Sequence, residues 1–189
     1  MPHRHFIVNK PAGMISQFIN NRTRKKKLLN ELHDFPNGTM AIGRLDSKTE
    51  GLLLLTTDGR ESARITGASI EKEYWAQLDG IITDEAIERL EKGVTIGIEG
   101  TLYSTKTAKA KRISDSSQIP HSEFKIRSER HGPTSWIAIT LTEGKFKQVR
   151  KMTAAVGFPT LRLVRVRIGK LHLGDLNVGA TLEVNQLKV

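Results

Sequence analysis

The strongest constraint on this sequence is a run of four leucines, Leu52 to Leu55, that directly follows a polar, glycine-bounded segment. Because Gly51 precedes the run and a Thr-Thr-Asp-Gly turn follows it, the pattern is typical of a short strand buried on both faces. The run is far shorter than the about 20 apolar residues that a membrane-spanning helix needs. The polar segment carries Arg44 and Asp46, so a rigid strand would hold a loop that presents one carboxylate. A carboxylate fixed in this way is a candidate nucleophile or base.

The charge of the chain favours a polyanionic partner. The 189 residues include 30 Lys and Arg against 20 Asp and Glu, which gives a formal net charge of +10. A basic protein without such a partner is the simpler alternative, but the positive charge is clustered, which favours nucleic acid. Aromatic residues make up 5% of the chain, which argues against a module that binds RNA through a row of exposed rings.

The first basic cluster is Arg22-Thr23-Arg24-Lys25-Lys26-Lys27. We predict that a helix overlaps its end, with Leu28, Leu29 and Leu32 on one face, and that it ends near Pro36. Cations at a helix N-terminus oppose the helix dipole, so phosphate binding explains the cluster better than a solvated helix start does.

The second basic cluster lies on a helix that we predict to begin near Phe146 and to end at Gly157. Lys147, Arg150 and Lys151 share one face of this helix because they are three or four residues apart. Like charges so placed destabilise a helix by a few tenths of a kcal/mol per pair, so we expect an anion opposite them. On the other side, Phe146, Val149 and Val156 would face the core.

The remaining sequence is rich in short strands. Apolar patterns predict strands over residues 5–9, 39–42, 72–78, 122–130, 135–141, 160–168 and 180–184, and helices over residues 60–65 and 83–92. Thr83 as N-cap and Gly93 beyond the last turn bound the second of these helices. Because the sequence has no internal repeat and no flexible linker, we expect the two halves of the chain to share one sheet.

The residue types present restrict the chemistry. The chain has no cysteine, no glycine-rich phosphate loop and no His-Glu-x-x-His motif, so it offers no thiol nucleophile and no signal for a nucleotide or metal cofactor. An ionised aspartate can attack a sugar carbon or remove a proton from one, as carboxylates do in glycoside cleavage. The basic clusters indicate that this sugar belongs to a nucleic acid. Two alternatives stay open: a metal-dependent phosphoryl-transfer enzyme that uses Asp46, Glu50 and Asp58, and an RNA-binding factor without catalytic activity.

Four segments, in order, resemble the RsuA-like family of pseudouridine synthases. The catalytic motif of that family resembles Gly-Arg-Leu-Asp followed by Thr-Glu-Gly-Leu-Leu-Leu-Leu-Thr-x-Asp-Gly, which spans residues 43–59. The other three segments are Asn9-Lys10-Pro11, Lys72-Glu73-Tyr74 and Glu143 to Met152. Residues 17–18, 133–136 and 154–163 are most similar to family members that act on large-subunit rRNA. The resemblance covers nearly the whole chain, and at position 147, where the family often has His or Arg, Lys keeps the charge.

The resemblance implies the pseudouridine synthase fold. This is an α+β fold with a mixed, mostly antiparallel central sheet, flanking helices and two subdomains that share the sheet around a basic cleft. We expect these subdomains at about residues 1–66 and 67–189 of a single catalytic domain, without the S4-like RNA-binding module that many members carry.

The resemblance also implies isomerisation of a uridine in ribosomal RNA, with 23S rRNA favoured, and no cofactor. Asp46 would be the nucleophile, either by attack at C1′ or after removal of the 2′ proton. Tyr74 would stack on the target base, and Arg150 would pair with Asp46 and keep it ionised. Arg44 would lie where the target nucleotide is flipped from its stack. Contacts with the RNA backbone would come from six cations: Lys145, Lys147, Lys151, Arg22, Arg24 and Lys25.

Two features that the sequence lacks lead to an expectation about the cellular location of the protein. The chain has no cysteine, and its first residues lack the apolar core of a signal peptide. We therefore expect a cytoplasmic protein that does not bind membranes, and we expect it to be a monomer.

Overall fold

A computed structural model describes residues 2–20, 25–67, 69–122, 126 and 131–189. Its fold is α+β, with a large, mostly antiparallel sheet and few helices. The strands are β1 His5–Lys10, β2 Met40–Ile42, β3 Thr49–Thr56, β4 Lys72–Asp79, β5 Thr95–Ile98, β6 Thr101–Ser104, β7 Lys109–Ile113, β8 Thr134–Leu141, β9 Thr160–Ile168, β10 Leu171–His172 and β11 Thr181–Val184. The α-helices are α1 Gly59–Gly67, α2 Asp84–Lys92 and α3 Gln148–Ala155, and short 3-10 turns cover Leu29–Glu31 and Ser116–Gln118. Within the ranges just given, no helix has both the length and the apolar character needed to cross a membrane.

The chain divides into two compact units. The first comprises Met1–Ile70, His121–Phe124 and Arg165–Val189, and the second comprises Glu71–Pro120 and Lys125–Val164. Strand β9 therefore contributes residues 160–164 to the second unit and residues 165–168 to the first. The predicted subdomain boundary near residue 66 stays a prediction.

In the first unit, the leucine run is the centre of the sheet. Strand β3 is antiparallel to both β1 and β2, and β11 pairs with the other edge of β1. All eight residues of β3 are buried, and its four leucines have no exposed surface. The sequence prediction of a fully buried strand is confirmed. Burying a leucine side chain contributes about 1.5–3 kcal/mol, so this strand is a rigid base for the polar segment that precedes it.

In the second unit, β8 lies between β4 and β7, and all three strands are antiparallel to their neighbours. Strands β5 and β6 form a separate hairpin. One buried core joins side chains from β4 and β8 with the apolar faces of α2 and α3, including Leu78, Leu90, Ile139 and Met152. Thr83 accepts a hydrogen bond from the Ala86 amide and caps α2, as its position in the sequence predicts.

The helix predicted beyond the first basic cluster does not form. Leu28 is extended, and only the single 3-10 turn Leu29–Glu31 follows it. The reason is tertiary, because the Ile15 amide donates to the Lys27 carbonyl and the Leu29 amide donates to the Gln17 carbonyl. These bonds hold the chain extended against residues 14–17. Arg22 and Arg24 lie outside the described residues, as does most of the strand predicted over residues 122–130.

Candidate active site

Asp46 lies in the loop between β2 and β3 of the first unit, and its side chain is half-buried. The Thr49 amide donates to the Asp46 carbonyl at 2.9 Å, which closes the loop into a turn just before the buried leucine strand begins. Arg44, two residues earlier in the same loop, is exposed. The loop thus presents a carboxylate and a guanidinium from a backbone that β3 anchors.

A second segment of the first unit holds the residues on both sides of Asp46. The buried Ser16 hydroxyl donates to the Leu45 carbonyl at 3.0 Å, and its oxygen lies 3.0 Å from the Leu45 amide, which donates to it. The Gly13 amide donates to the Ser47 carbonyl at 2.6 Å. One side chain therefore satisfies both backbone groups of the residue before Asp46. Ser16 is a positioning residue that the sequence analysis missed.

Lys10, at the end of β1, fixes the turn from which Ser16 comes. Its side chain is fully buried, and its ammonium donates to the Pro11 carbonyl at 2.9 Å and the Met14 carbonyl at 2.7 Å. Burial lowers the pKa of Lys10 to about 7, although the negative charges of Glu50 and Asp46 act to raise it. The charge of Arg165 lowers the pKa of Lys10 further. Asp46 is thus one member of a charged cluster in the interior of the first unit.

The other members of that cluster are also buried. Arg165 is 3% exposed, and its Nε donates to the Leu52 carbonyl at 2.8 Å. Glu50 is 3% exposed, and its carboxylate accepts a hydrogen bond from the Ser122 hydroxyl at 2.7 Å. Lys10, Arg165, Glu50 and Asp46 therefore place charges of both signs where β1 and β3 meet the Asp46 loop. The hydrogen bonds of Lys10 to the Pro11 and Met14 carbonyls and of Arg165 to the Leu52 carbonyl hold this region in place.

Asp58, the third carboxylate of the metal-dependent alternative, has a local structural role. Its Oδ1 accepts a hydrogen bond from the Arg60 amide at 2.9 Å, so it caps the first turn of α1. Considering the described side chains alone, no group of three or more His, Asp or Glu is arranged to hold a metal ion.

Tyr74 and Arg150, the other two predicted catalytic residues, belong to the second unit. Tyr74 is half-buried on β4, on the same side of the strand as Ala76, and packs against the core of that unit. Arg150 is half-buried on α3, and its Nη1 donates to the Thr160 carbonyl at 3.1 Å. The pairing of Arg150 with Asp46 and the stacking of Tyr74 on a base stay predictions.

The loop that precedes α3 is held by one carboxylate. Glu143 accepts hydrogen bonds from the Tyr103 hydroxyl at 2.5 Å, the Lys106 amide at 2.9 Å and the Gln148 side chain at 2.6 Å. Gln148 in turn accepts a hydrogen bond from the Lys145 amide at 2.9 Å. Partial burial acts to raise the pKa of Glu143, but these three hydrogen bonds outweigh it and the net pKa lies below its usual range.

The three lysines predicted to bind RNA lie in and just after this loop. Lys145 and Lys147 are exposed and Lys151 is half-buried. The Lys145 ammonium lies 4.9 Å from the centre of the Tyr103 ring. Within the part of the chain that the structure describes, no carboxylate forms a salt bridge with any of the three. Of the first basic cluster, Lys25 is described and exposed, and Arg22 and Arg24 lie outside the described residues.

The prediction that Phe146 faces the core is wrong. Helix α3 begins at Gln148, two residues later than predicted, and Phe146 is 56% exposed. The physical reason is the backbone of Lys147, which adopts the left-handed conformation with φ +52° and ψ +34°. Val149 and Val156 are buried, as predicted.

Comparison with known proteins decides the family. The model of a family described as RNA pseudouridylate synthase matches residues 4–155. This chain belongs to that family. It is 41% identical over 182 residues to ribosomal large subunit pseudouridine synthase E from Vibrio parahaemolyticus, an alignment that covers 94% of this chain and 72% of the relative. It is 38% identical over 172 residues to the protein of the same name from Xanthomonas axonopodis pv. citri, covering 90% of this chain and 88% of the relative.

Solved structures agree with the fold. A crystal structure of a pseudouridylate synthase superposes with a TM-score of 0.75 at 28% identity, and covers 96% of this chain and 70% of that one. A Cbf5-Nop10-Gar1 complex superposes with a TM-score of 0.58 at 14% identity, covering 93% of this chain and 51% of that one, which is a likeness of fold alone. The predicted family and the predicted α+β fold with a mostly antiparallel sheet are confirmed.

Proposed function

We propose that this protein is an rRNA pseudouridine synthase that converts a uridine of large-subunit rRNA into pseudouridine, with Asp46 as its nucleophile. Membership of the RNA pseudouridylate synthase family supports the reaction, and the names of the relatives support the substrate. The single observation that supports Asp46 as the nucleophile is the fixed backbone of its loop. The bonds of Ser16 and Gly13 fix the backbone on both sides of the carboxylate.

The reaction is an isomerisation, so the atoms of the uridine balance without a second substrate. The Asp46 carboxylate attacks C1′ of the ribose or removes the 2′ proton, and the bond from C1′ to N1 of the base breaks. The base rotates and C5 bonds to C1′. In the first route this breaks the bond from C1′ to the Asp46 carboxylate, and in the second route the proton returns to C2′. The proton on C5 then leaves, and N1 gains one. Because no redox change occurs, the residues of this chain are sufficient, and we propose that no cofactor takes part.

The remaining predicted residues would assist this reaction from both units. Tyr74 stacks on the target base and assists removal of the C5 proton, and Arg150 pairs with Asp46. Arg44 lies where the target nucleotide is flipped from its stack, and this flipping costs a few kcal/mol. The exposed lysines at 145 and 147, Lys151, Lys25 and the arginines at 22 and 24 bind backbone phosphates, which supply most of the affinity.

The experiment that tests this function maps pseudouridines in rRNA from cells with and without the protein. We expect one position of large-subunit rRNA to lose its pseudouridine when the protein is absent, and to regain it when the wild-type chain is restored. The same rRNA treated in vitro should be modified equally in excess chelator, which separates this function from metal-dependent phosphoryl transfer. An unchanged pseudouridine map would contradict the proposal.

We also propose that the protein acts as a monomer in the cytoplasm. The lack of cysteine in the sequence favours a reducing compartment such as the cytoplasm. Sedimentation equilibrium of the purified protein and fractionation of cells test the two statements separately. A dimer at micromolar concentration, or recovery of the protein outside the cytoplasmic fraction, would contradict them.

A further inference from the structure

The second unit presents an aromatic ring to solvent beside two cations. Phe146 is 56% exposed, and in the described part of the chain it is the one aromatic side chain among the exposed large hydrophobic residues. The ammonium groups of Lys147 and Lys151 lie 4.9 and 5.2 Å from the centre of its ring. A single exposed apolar side chain is common on protein surfaces, so what distinguishes Phe146 is the pair of ammonium groups beside its ring.

The backbone holds the ring in this exposed position. Lys147 has a φ of +52°, a left-handed conformation that residues other than glycine rarely adopt and that stores strain. The flanking residues are fixed, because the Lys145 amide donates to Gln148 and the Glu143 carboxylate binds Gln148 and Tyr103. Lys151 is fixed too, since its ammonium donates to the Gly97 carbonyl of β5 at 2.6 Å. Strained residues held by their surroundings are concentrated at functional sites.

The chemistry of this surface matches single-stranded RNA. A protein partner that covered Phe146 with apolar side chains would also have to bury ammonium groups that have no carboxylate partner among the described residues, which is costly. An RNA strand supplies phosphates for the lysines and a base for the ring. In a duplex the bases are already stacked on one another, so a base must be unpaired to reach the ring. Cation–π contacts at exposed sites are weak, so a base and two phosphates can replace them.

We propose that Phe146 is a stacking platform for an unpaired base of the RNA substrate, with Lys147 and Lys151 on the adjoining phosphates. This base is distinct from the reacting uridine, for which the family resemblance assigns Tyr74. The proposal rests on the proposed function, since it names how the RNA substrate is held.

The test compares RNA affinity among variants of Phe146. The probes are a labelled single strand of about 12 nucleotides of mixed sequence, within the site sizes of stacking RNA-binding proteins, and the same strand annealed to its complement. Phe146→Ala should weaken binding of the single strand by about 5- to 100-fold, the usual range for loss of one stacked base. Phe146→Tyr should bind like the wild type, and Phe146→Leu should bind like Phe146→Ala. Because the ring is exposed, all three variants should unfold at the wild-type temperature.

Salt dependence separates stacking from electrostatic attraction. Phe146→Ala should leave the slope of log affinity against log salt unchanged, since the lysines that bind phosphate are all still present. Affinity for the duplex should change less than about twofold, because its bases cannot reach the ring. The proposal is overturned if Phe146→Ala binds the single strand like the wild type, if it weakens both probes equally, or if Phe146→Leu restores binding. A wild-type protein that binds RNA in this way but forms no pseudouridine would contradict the proposed function and leave the stacking platform standing.

Discussion

At the scale of single residues, Ser16 holds the backbone beside Asp46 although the two residues are far apart in the sequence. Its hydroxyl bonds both backbone groups of Leu45, so its loss leaves a buried amide and a buried carbonyl without partners. We expect Ser16→Ala to lower the free energy of unfolding by about 1–3 kcal/mol. We also expect kcat to fall about tenfold or more with KM nearly unchanged, because a small displacement of a reacting group is costly.

Stability measurements and steady-state kinetics on rRNA check this prediction together. The control is Ser62→Ala on α1 of the same unit, which we expect to change neither quantity appreciably. Loss of stability in Ser16→Ala without any change in kcat would show that Ser16 supports the fold but does not position Asp46.

The lowered pKa of Lys10 predicts how the stability of the protein depends on pH. Its pKa is about 7 in the folded protein and about 10.4 in an unfolded chain, so between these values the unfolded state binds one more proton. The contribution of Lys10 to the free energy of unfolding therefore rises as pH increases from 7 to 10. Below pH 7 the buried side chain is charged in the folded state, and its contribution is least favourable. Relative to Lys10→Met, the wild type should gain at most about 1.4 kcal/mol per pH unit over this window. Urea unfolding of both proteins at several pH values measures the difference, and a flat difference would refute the assignment.

At the scale of elements, the loop before α3 depends on the hydrogen bond from Tyr103 to Glu143. The pKa of Glu143 is depressed, so its stabilising effect is present above its usual pKa near 4.3 and is lost as pH falls through the lower folded value. Tyr103→Phe should therefore lower the thermal stability of the protein at pH 7, because the Glu143 carboxylate loses a hydrogen-bond donor. The deficit should shrink as pH falls below 4. Thermal unfolding of the two proteins at pH 7 and pH 3.5 checks this, and an equal deficit at both would contradict it.

Elements with strong local signals could be predicted from the sequence. The run Leu52 to Leu55 has no polar residue, so only full burial suits it, and β3 is buried throughout. Strand β9 has the predicted bounds of residues 160–168, and Thr83 and Gly93 bound α2 as their capping chemistry requires. The Asp46 loop was predictable for the same reason, since it directly precedes the leucine strand.

The features that the sequence did not reveal depend on contacts between distant segments. The leucine spacing after Lys27 predicts a helix, yet the bonds of Lys27 and Leu29 to residues 15 and 17 hold the start of this segment extended. Ser16 meets Leu45 across 29 residues, and Lys10 is fully buried although lysine is a residue type that is almost always exposed. Phe146 fits a helical pattern as a core residue, and nothing local indicates that Lys147 turns left-handed.

At the scale of the whole molecule, we expect the net charge of +10 to contribute to RNA binding through particular lysines. We expect Lys145→Gln/Lys147→Gln to reduce the salt slope of single-stranded RNA affinity by about 1.4, which is about 0.7 for each phosphate that is no longer neutralised. The matched control is Lys92→Gln/Lys109→Gln, which removes the same charge from lysines paired with Glu88 and Glu71 in the same unit. The control should leave the slope almost unchanged. Equal slopes for the two double variants would mean that total charge alone, and not its position, sets the affinity.

In the mechanism proposed for this protein, the Asp46 carboxylate is the group that reacts with the ribose. Its most direct test is a single-turnover assay of pseudouridine formation on rRNA by wild-type, Asp46→Asn and Asp46→Ala proteins, with RNA affinity measured alongside. Asp58→Asn is the control, because that carboxylate caps α1. We expect both Asp46 variants to bind RNA within about threefold of the wild type, a difference below 1 kcal/mol, and to form no pseudouridine, while Asp58→Asn stays active. Pseudouridine formation by Asp46→Ala would contradict the account.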